Sequence, residues 1–125
     1  MLKVAFITGT SRGIGKEIAE LLLRQKYKVF GYSRTNTIQH SNFVFTRVDL
    51  SDLEKVRAIK FPSFNKANVI LINNAARIGD IGPLNIKTSK SIINDYNLNI
   101  ITPTILCANF INSFNGSNKI IFNIS

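Results

Sequence analysis

The sequence predicts an α/β fold, a Rossmann-like doubly wound parallel sheet with helices on both faces, carried as far as a fifth strand. Three observations predict it. Short apolar runs alternate with segments of helical period, a glycine-rich turn joins the first run to the first helix, and one run, Val69–Ile72, is apolar throughout. Unbroken apolarity suits a strand covered on both sides, the setting of a parallel sheet.

Taken in order, Leu2–Thr8 (LKVAFIT) reads as the first strand. From Gly13 the period becomes helical, with Ile14, Ile18, Leu21 and Leu22 on one stripe and Lys16, Glu17, Glu20 and Arg24 facing away. Glu20 and Arg24 are spaced to pair across one turn. Tyr27–Tyr32 and Phe43–Val48 are the second and third strands. Ser51 is expected to cap a short helix running to about Lys60, with Glu54 placed for a capping box, before Phe61-Pro62 breaks it. Val69–Ile72 is the fourth strand, and a Gly/Pro-rich loop follows over Arg77–Leu84. Helices are expected at Ser89–Leu98 and Asn99–Phe114. Asn115-Gly116 marks a turn, and Lys119–Ile124 (KIIFNI) is the fifth strand.

The 125 residues suffice for one domain and not for two, so residues 1–125 are read as one unit. A composition 45% hydrophobic and 18% charged excludes a disordered chain. No apolar run approaches the roughly 18 residues of a membrane span, and Met1-Leu2-Lys3 does not open a secretory leader. The lone cysteine, Cys107, excludes an internal disulfide and is expected in a reducing cytoplasm. The net charge of +9 raises nucleic-acid binding. The cations are dispersed, however, and only Arg24–Lys28 clusters, at a helix end where cations suit the dipole. No aromatic residues interleave with a basic patch, so nucleic acid is not the expected partner.

The turn Thr8-Gly9-Thr10-Ser11-Arg12-Gly13-Ile14-Gly15 leaves a strand and opens a helix. Glycines there permit a sharp turn and bring backbone N–H groups close to pyrophosphate oxygens. The helix N-terminus adds unpaired donors and the positive end of a dipole. A side chain at Gly15 would hold the helix away from the strand. The alternative is a tight turn with nothing bound, and its position between strand and amphipathic helix argues against that.

The spacing Gly-xxx-Gly-x-Gly, preceded by Thr8, resembles the cofactor fingerprint of the short-chain dehydrogenase/reductase family. Four further features fall in that family's order. Asp49-Leu50 follows the third strand, where members place an Asp near the adenine. Asn73-Asn74-Ala75-Ala76 closes the fourth strand, with Ala76 where members usually have Gly. Asn99, ahead of Pro103, is similar to the helix asparagine of the catalytic set, and Ile120–Ser125 resembles the strand leading to the catalytic serine. The resemblance implies a nicotinamide dinucleotide held by Gly9, Ser11, Arg12, Gly13, Ile14, Gly15, Ser33, Arg34, Asp49, Leu50, Asn74, Ala75 and Ala76, with Asn99 in the catalytic set. It implies an unidentified carbonyl or alcohol substrate.

At the end of the second strand a carboxylate would bind the adenosine ribose and repel a 2′-phosphate; this chain has Ser33 and Arg34. A guanidinium clamps phosphate bidentately, a serine hydroxyl can donate to it, and Arg12 is near enough to join. The expected cofactor is therefore NADP(H), with NAD(H) possible. Hydride transfer also needs a proton donor at the developing alkoxide. Members supply it from Tyr-xxx-Lys, and none of Tyr27, Tyr32 or Tyr96 has Lys four positions on. Ser125 is read as the neighbour of the catalytic serine, so the chain is expected to be a fold truncated after the fifth strand and inactive alone. The alternatives are a non-catalytic dinucleotide-binding or sensing module, or a partly folded remnant.

No metal site is expected: Asp49 and Asp52 are better explained by a capped helix start. His40 reads as a solvated loop residue and Cys107 as packing. The helix after Asn99 is apolar on two sides. One stripe holds Ile100, Pro103, Leu106, Cys107, Phe110, Ile111 and Phe114, and the other Ile101, Ile105 and Ala108. That distribution predicts a homo-oligomer formed through this helix.

Overall fold

The structure, a computed structural model, describes residues 1–77 and 82–124. Five strands, β1 (Leu2–Thr8), β2 (Lys28–Ser33), β3 (Phe43–Arg47), β4 (Ala67–Asn73) and β5 (Asn118–Asn123), form one sheet. Its order is β3-β2-β1-β4-β5, and every neighbouring pair is parallel. The order reverses direction between β1 and β4, so a crevice opens there at the carboxyl ends of the strands. The strands' apolar runs supply its floor. Val4, Ala5, Phe6 and Ile7 of β1 are all fully buried.

On one face lies α1 (Gly13–Arg24), whose Ala19 and Leu23 pack with Ala5, Ile7, Val29 and Ile72. The buried line of α1 is Gly15, Ala19 and Leu23, with Ile18 and Leu22 of the expected stripe half-buried beside it. Ile14 is 62% exposed and Leu21 is exposed too, because small residues let the helix approach the sheet closely. Glu20 pairs back to Lys16 at 3.8 Å rather than forward to Arg24. The helix ends in a Schellman turn, with Tyr27 N–H donating to the Leu22 carbonyl and Lys26 N–H to that of Leu23. Lys26 there occupies the left-handed region, φ +70°.

The other face carries α2 (Leu53–Arg57) and α4 (Thr102–Ser113). Phe6 anchors it, stacked 5.1 Å from Phe30 and meeting Phe61 edge-on at 4.8 Å, with Phe110 and Phe114 behind. Such pairs add about 0.5–1.5 kcal/mol each beyond their burial. The cap of α2 is Asp52, whose carboxylate accepts from Glu54 N–H at 3.2 Å and Lys55 N–H at 3.4 Å. Ser51 cannot serve as expected, because its hydroxyl is donated to Asp49 at 2.7 Å. Glu54 forms no capping box and faces Arg57, and the helix stops at Arg57 rather than Lys60.

The expected pair of helices across Asn99 is a continuous run: α3 (Ser89–Tyr96), a π-helical turn at Asn97–Ile101, then α4. Of the apolar stripes, Leu106, Phe110 and Phe114 are buried, whereas Ile100, Ile101 and Ile111 are exposed. Part of the charge excess has a structural use. Lys3 Nζ donates to the Gln25 carbonyl at the end of α1, and Lys119 Nζ donates to the Phe114 carbonyl at the end of α4.

Candidate functional site

The glycine-rich turn runs from the end of β1 into α1, above the crevice. Gly9 and Gly13 both occupy the left-handed region, at φ +77° and +61°. A β-carbon on Gly15 would overlap the Gly9 carbonyl oxygen and the Asn74 amide, so only glycine fits. The turn is fastened to β4 from two sides. Thr8 Oγ1 accepts the Asn74 and Ala75 N–H groups, each at 3.0 Å, and Asn74 Nδ2 donates to the Gly9 carbonyl at 3.1 Å.

The N-terminus of α1 is left open. Arg12, at its N-cap, is extended and makes no side-chain cap, and no acid stands in the first turn. Nothing described lies within 4 Å of where a Gly13 β-carbon would point. Free N–H donors, a positive dipole end and open space on a rigid turn are what an anion requires. A dinucleotide pyrophosphate fits this cradle.

The remaining expected residues ring the same end of the sheet. Ser33 is buried, and its hydroxyl donates to the Thr35 carbonyl at 2.6 Å. Only its lone pairs remain free, so it shapes the exit of β2 rather than offering a proton. Arg34 is exposed, as is Arg12. Asp49 accepts from the Ser51 hydroxyl and N–H, and these bonds, helped by Arg34 and Arg77, hold its carboxyl below the usual aspartate range. Leu50 is buried in the core, and its carbonyl accepts the Thr102 hydroxyl.

Asn99 sits in the π-helical turn and makes two bonds to one residue. Its Oδ1 accepts Arg77 N–H at 2.9 Å and its Nδ2 donates to the Arg77 carbonyl at 2.8 Å. Arg77 Nε also meets Asp95 at 2.8 Å. Such π turns recur where a helix must present a functional side chain. Asn99, Ala75 and Ala76 line a cavity of about 650 Å³ with Asn73, Cys107 and Asn123. Asn73 Nδ2 there donates to Asn123 Oδ1 at 2.9 Å and to the Cys107 sulfur at 3.3 Å. Ser125, and residues 78–81 of the Arg77–Leu84 loop, lie outside the described residues.

Sequence reasoning missed Thr8 as the clamp and Thr102 as the tie to Leu50. A polar residue ending an otherwise apolar strand was the available signal for Thr8. Nothing in the local sequence pointed to Thr102. His40 is a turn residue, its Nδ1 accepting Asn42 N–H at 3.0 Å.

Fold and turn together define a dinucleotide-binding unit of the doubly wound class. A family model described as short chain dehydrogenase matches residues 3–125. The chain belongs to that family. It is 30% identical to the benzil reductase ((S)-benzoin forming) of Bacillus cereus over 125 aligned positions, covering 87% of this chain and 49% of that protein. A short-chain dehydrogenase/reductase from Burkholderia vietnamiensis superposes with a TM-score of 0.85 at 27% identity, over 100% of this chain and 66% of the other. A short-chain dehydrogenase from Leptospira borgpetersenii with bound NAD+ gives 0.82 at 22%, over 98% and 51%. The NADPH-bound carbonyl reductase from chicken fatty liver gives 0.68 at 24%, over 90% and 51%. The chain spans about half the length of the curated Bacillus relatives it matches.

Proposed function

We propose that residues 1–125 act as one unit, the NADP(H)-binding half of an oxidoreductase that moves hydride between a nicotinamide cofactor and a carbonyl or alcohol substrate. The observation that carries this reading is the open N-terminus of α1 held against β4 by Thr8 and Asn74. When bound, the dinucleotide supplies the hydride chemistry; the chain's own residues bind and orient. Backbone N–H groups around Gly9, Ser11, Gly13, Ile14 and Gly15 receive the pyrophosphate. Arg34 and Arg12, exposed at neighbouring loops, supply the charge for a 2′-phosphate, with Ser33 fixing the turn beneath them. Asp49 and Leu50 border the adenine, and Asn74, Ala75 and Ala76 border the nicotinamide ribose. Asn99 anchors the cavity wall and belongs to the catalytic set.

These residues contain no Tyr-xxx-Lys, so by themselves they bind the cofactor without turnover. A purely binding or sensing role shares every feature above, and the engagement of both ends of the Asn99 amide by Arg77 favours it for these residues alone. The exposed Ile101, which ends the π-helical turn, and Ile111 of α4 support self-association through the helix after Asn99. Among the described residues no helix is long and apolar enough to cross a membrane, and Cys107 is a free thiol; we place the protein in the cytoplasm.

Calorimetric titration with NADPH and NADH tests the reading. NADPH should saturate one site, and Arg34→Ala should weaken NADPH at least roughly tenfold while leaving NADH nearly unchanged. Equal losses for the two cofactors would remove the 2′-phosphate role. Consumption of NADPH with a panel of ketones and aldehydes would overturn the claim of binding without turnover. Ile111→Asp should lower the sedimenting mass if α4 carries an oligomer; an unchanged mass would exclude that helix.

A further inference from the structure

A second concavity lies at the far edge of the sheet from β5, away from the crevice between β1 and β4. It arises because α2 ends at Arg57 and leaves the β2–β3 surface partly bare. Phe30 and Tyr32 form its floor, and Val44 of the edge strand, 39% exposed, forms a side. The chain leaving α2 closes it with Ile59, Lys60 and Pro62, and Lys55 stands on the rim. Its volume is about 410 Å³, within the roughly 300–1,000 Å³ of small-molecule sites.

Charge distinguishes this groove from an ordinary packing defect. Arg47, Lys55 and Lys60 line it, Lys28 Nζ lies 5.7 Å from the centroid of the lining Phe30 ring, and no carboxylate is among the lining residues. The acids of α2 are engaged elsewhere: Asp52 caps the helix and Glu54 faces Arg57. Tyr32, 4% exposed, lines the groove and carries a phenolic hydroxyl. Burial pushes that hydroxyl up from its ordinary value, so it remains a donor at neutral pH.

We propose that this groove binds a small monocarboxylate with an aromatic or branched apolar body, its ring or chain on Phe30 and Val44 and its carboxylate among Arg47, Lys55, Lys60 and the Tyr32 hydroxyl. The apolar floor excludes a purely polar ligand. The site is separate from the dinucleotide cradle.

The test is a fluorescence titration of the 125-residue chain with 2-naphthoate and, in parallel, with neutral 2-naphthylmethanol. Saturable binding is expected, at least roughly tenfold tighter for the carboxylate. Val44→Asp should weaken it by a similar factor, and Lys60→Glu should erase the preference over the alcohol, with NADPH affinity unchanged in both. Lys60→Glu, at an exposed position, keeps the test valid if Val44→Asp fails to fold. The proposal is overturned by any of four results: no saturation, equal affinity for the alcohol, indifference to Lys60→Glu, or displacement of naphthoate by NADPH.

Discussion

The Asn74 side-chain amide donates to the Gly9 carbonyl at 3.1 Å, so the end of β4 holds the turn that leaves β1. Gly15 lies inside that contact, where an added methyl would meet both partners. Gly15→Ala should therefore lower stability by about 1–3 kcal/mol, the usual cost of overpacking. A thermal melt should fall by several degrees. A midpoint within one degree of the parent would show that the turn is looser than described.

Two threonines flanking Gly9 make opposite predictions. Thr8 Oγ1 accepts two backbone N–H groups, and removing it strands both. Thr8→Val should lower stability by about 2–4 kcal/mol in chemical denaturation. Thr10 is fully buried, yet its hydroxyl has no partner among the described residues. Thr10→Val, which keeps the shape, should be neutral or stabilising. If the two variants behave alike, the assigned bonding of the turn is wrong.

Lys26 terminates α1 in a conformation that favours glycine. Lys26→Gly relieves that backbone and should raise stability by about 1 kcal/mol, read from the urea midpoint at unchanged slope. A lower midpoint would mean that Lys26 makes a stabilising contact outweighing the strain.

Asp49 predicts an acid-dependent effect. Donation from Ser51 lowers its carboxyl in the folded chain. A lowered folded value gives stability that is present above the ordinary aspartate value of about 3.9 and is lost as pH falls through the lowered value. Asp49→Asn should thus melt slightly below the parent at neutral pH, and the two curves should converge in acid. A difference that persists below the titration would assign the effect to packing instead.

The order of elements was legible because each strand is a short apolar run and each long helix has its own period. Positions within elements were less so. The stripe on α1 favoured Ile14 and Leu21, since hydropathy rewards bulk, but close approach to the sheet selects Gly15 and Ala19. Ser51 and Asp52 compete for one cap, and the outcome depends on Asp49 taking the Ser51 hydroxyl. At the site, the glycines were readable from local conformational demand. The two bonds joining Asn99 to Arg77 cross 22 positions and depend on the π-helical turn, which no periodicity announced. The Ser33 hydroxyl looked available until the chain bent Thr35 back to accept it.

If the open end of α1 receives a dinucleotide pyrophosphate, an acidic side chain introduced by Gly13→Asp should keep it out. Aspartate tolerates the left-handed region better than most residues, there is open space for its side chain, and a carboxylate in the first turn favours the helix. The variant should melt close to the parent while its negative charge faces the place the pyrophosphate would occupy. Calorimetric titration should show saturable NADPH binding to the parent and a loss of at least roughly a hundredfold in the folded variant. Parent and variant binding NADPH equally well would contradict the account.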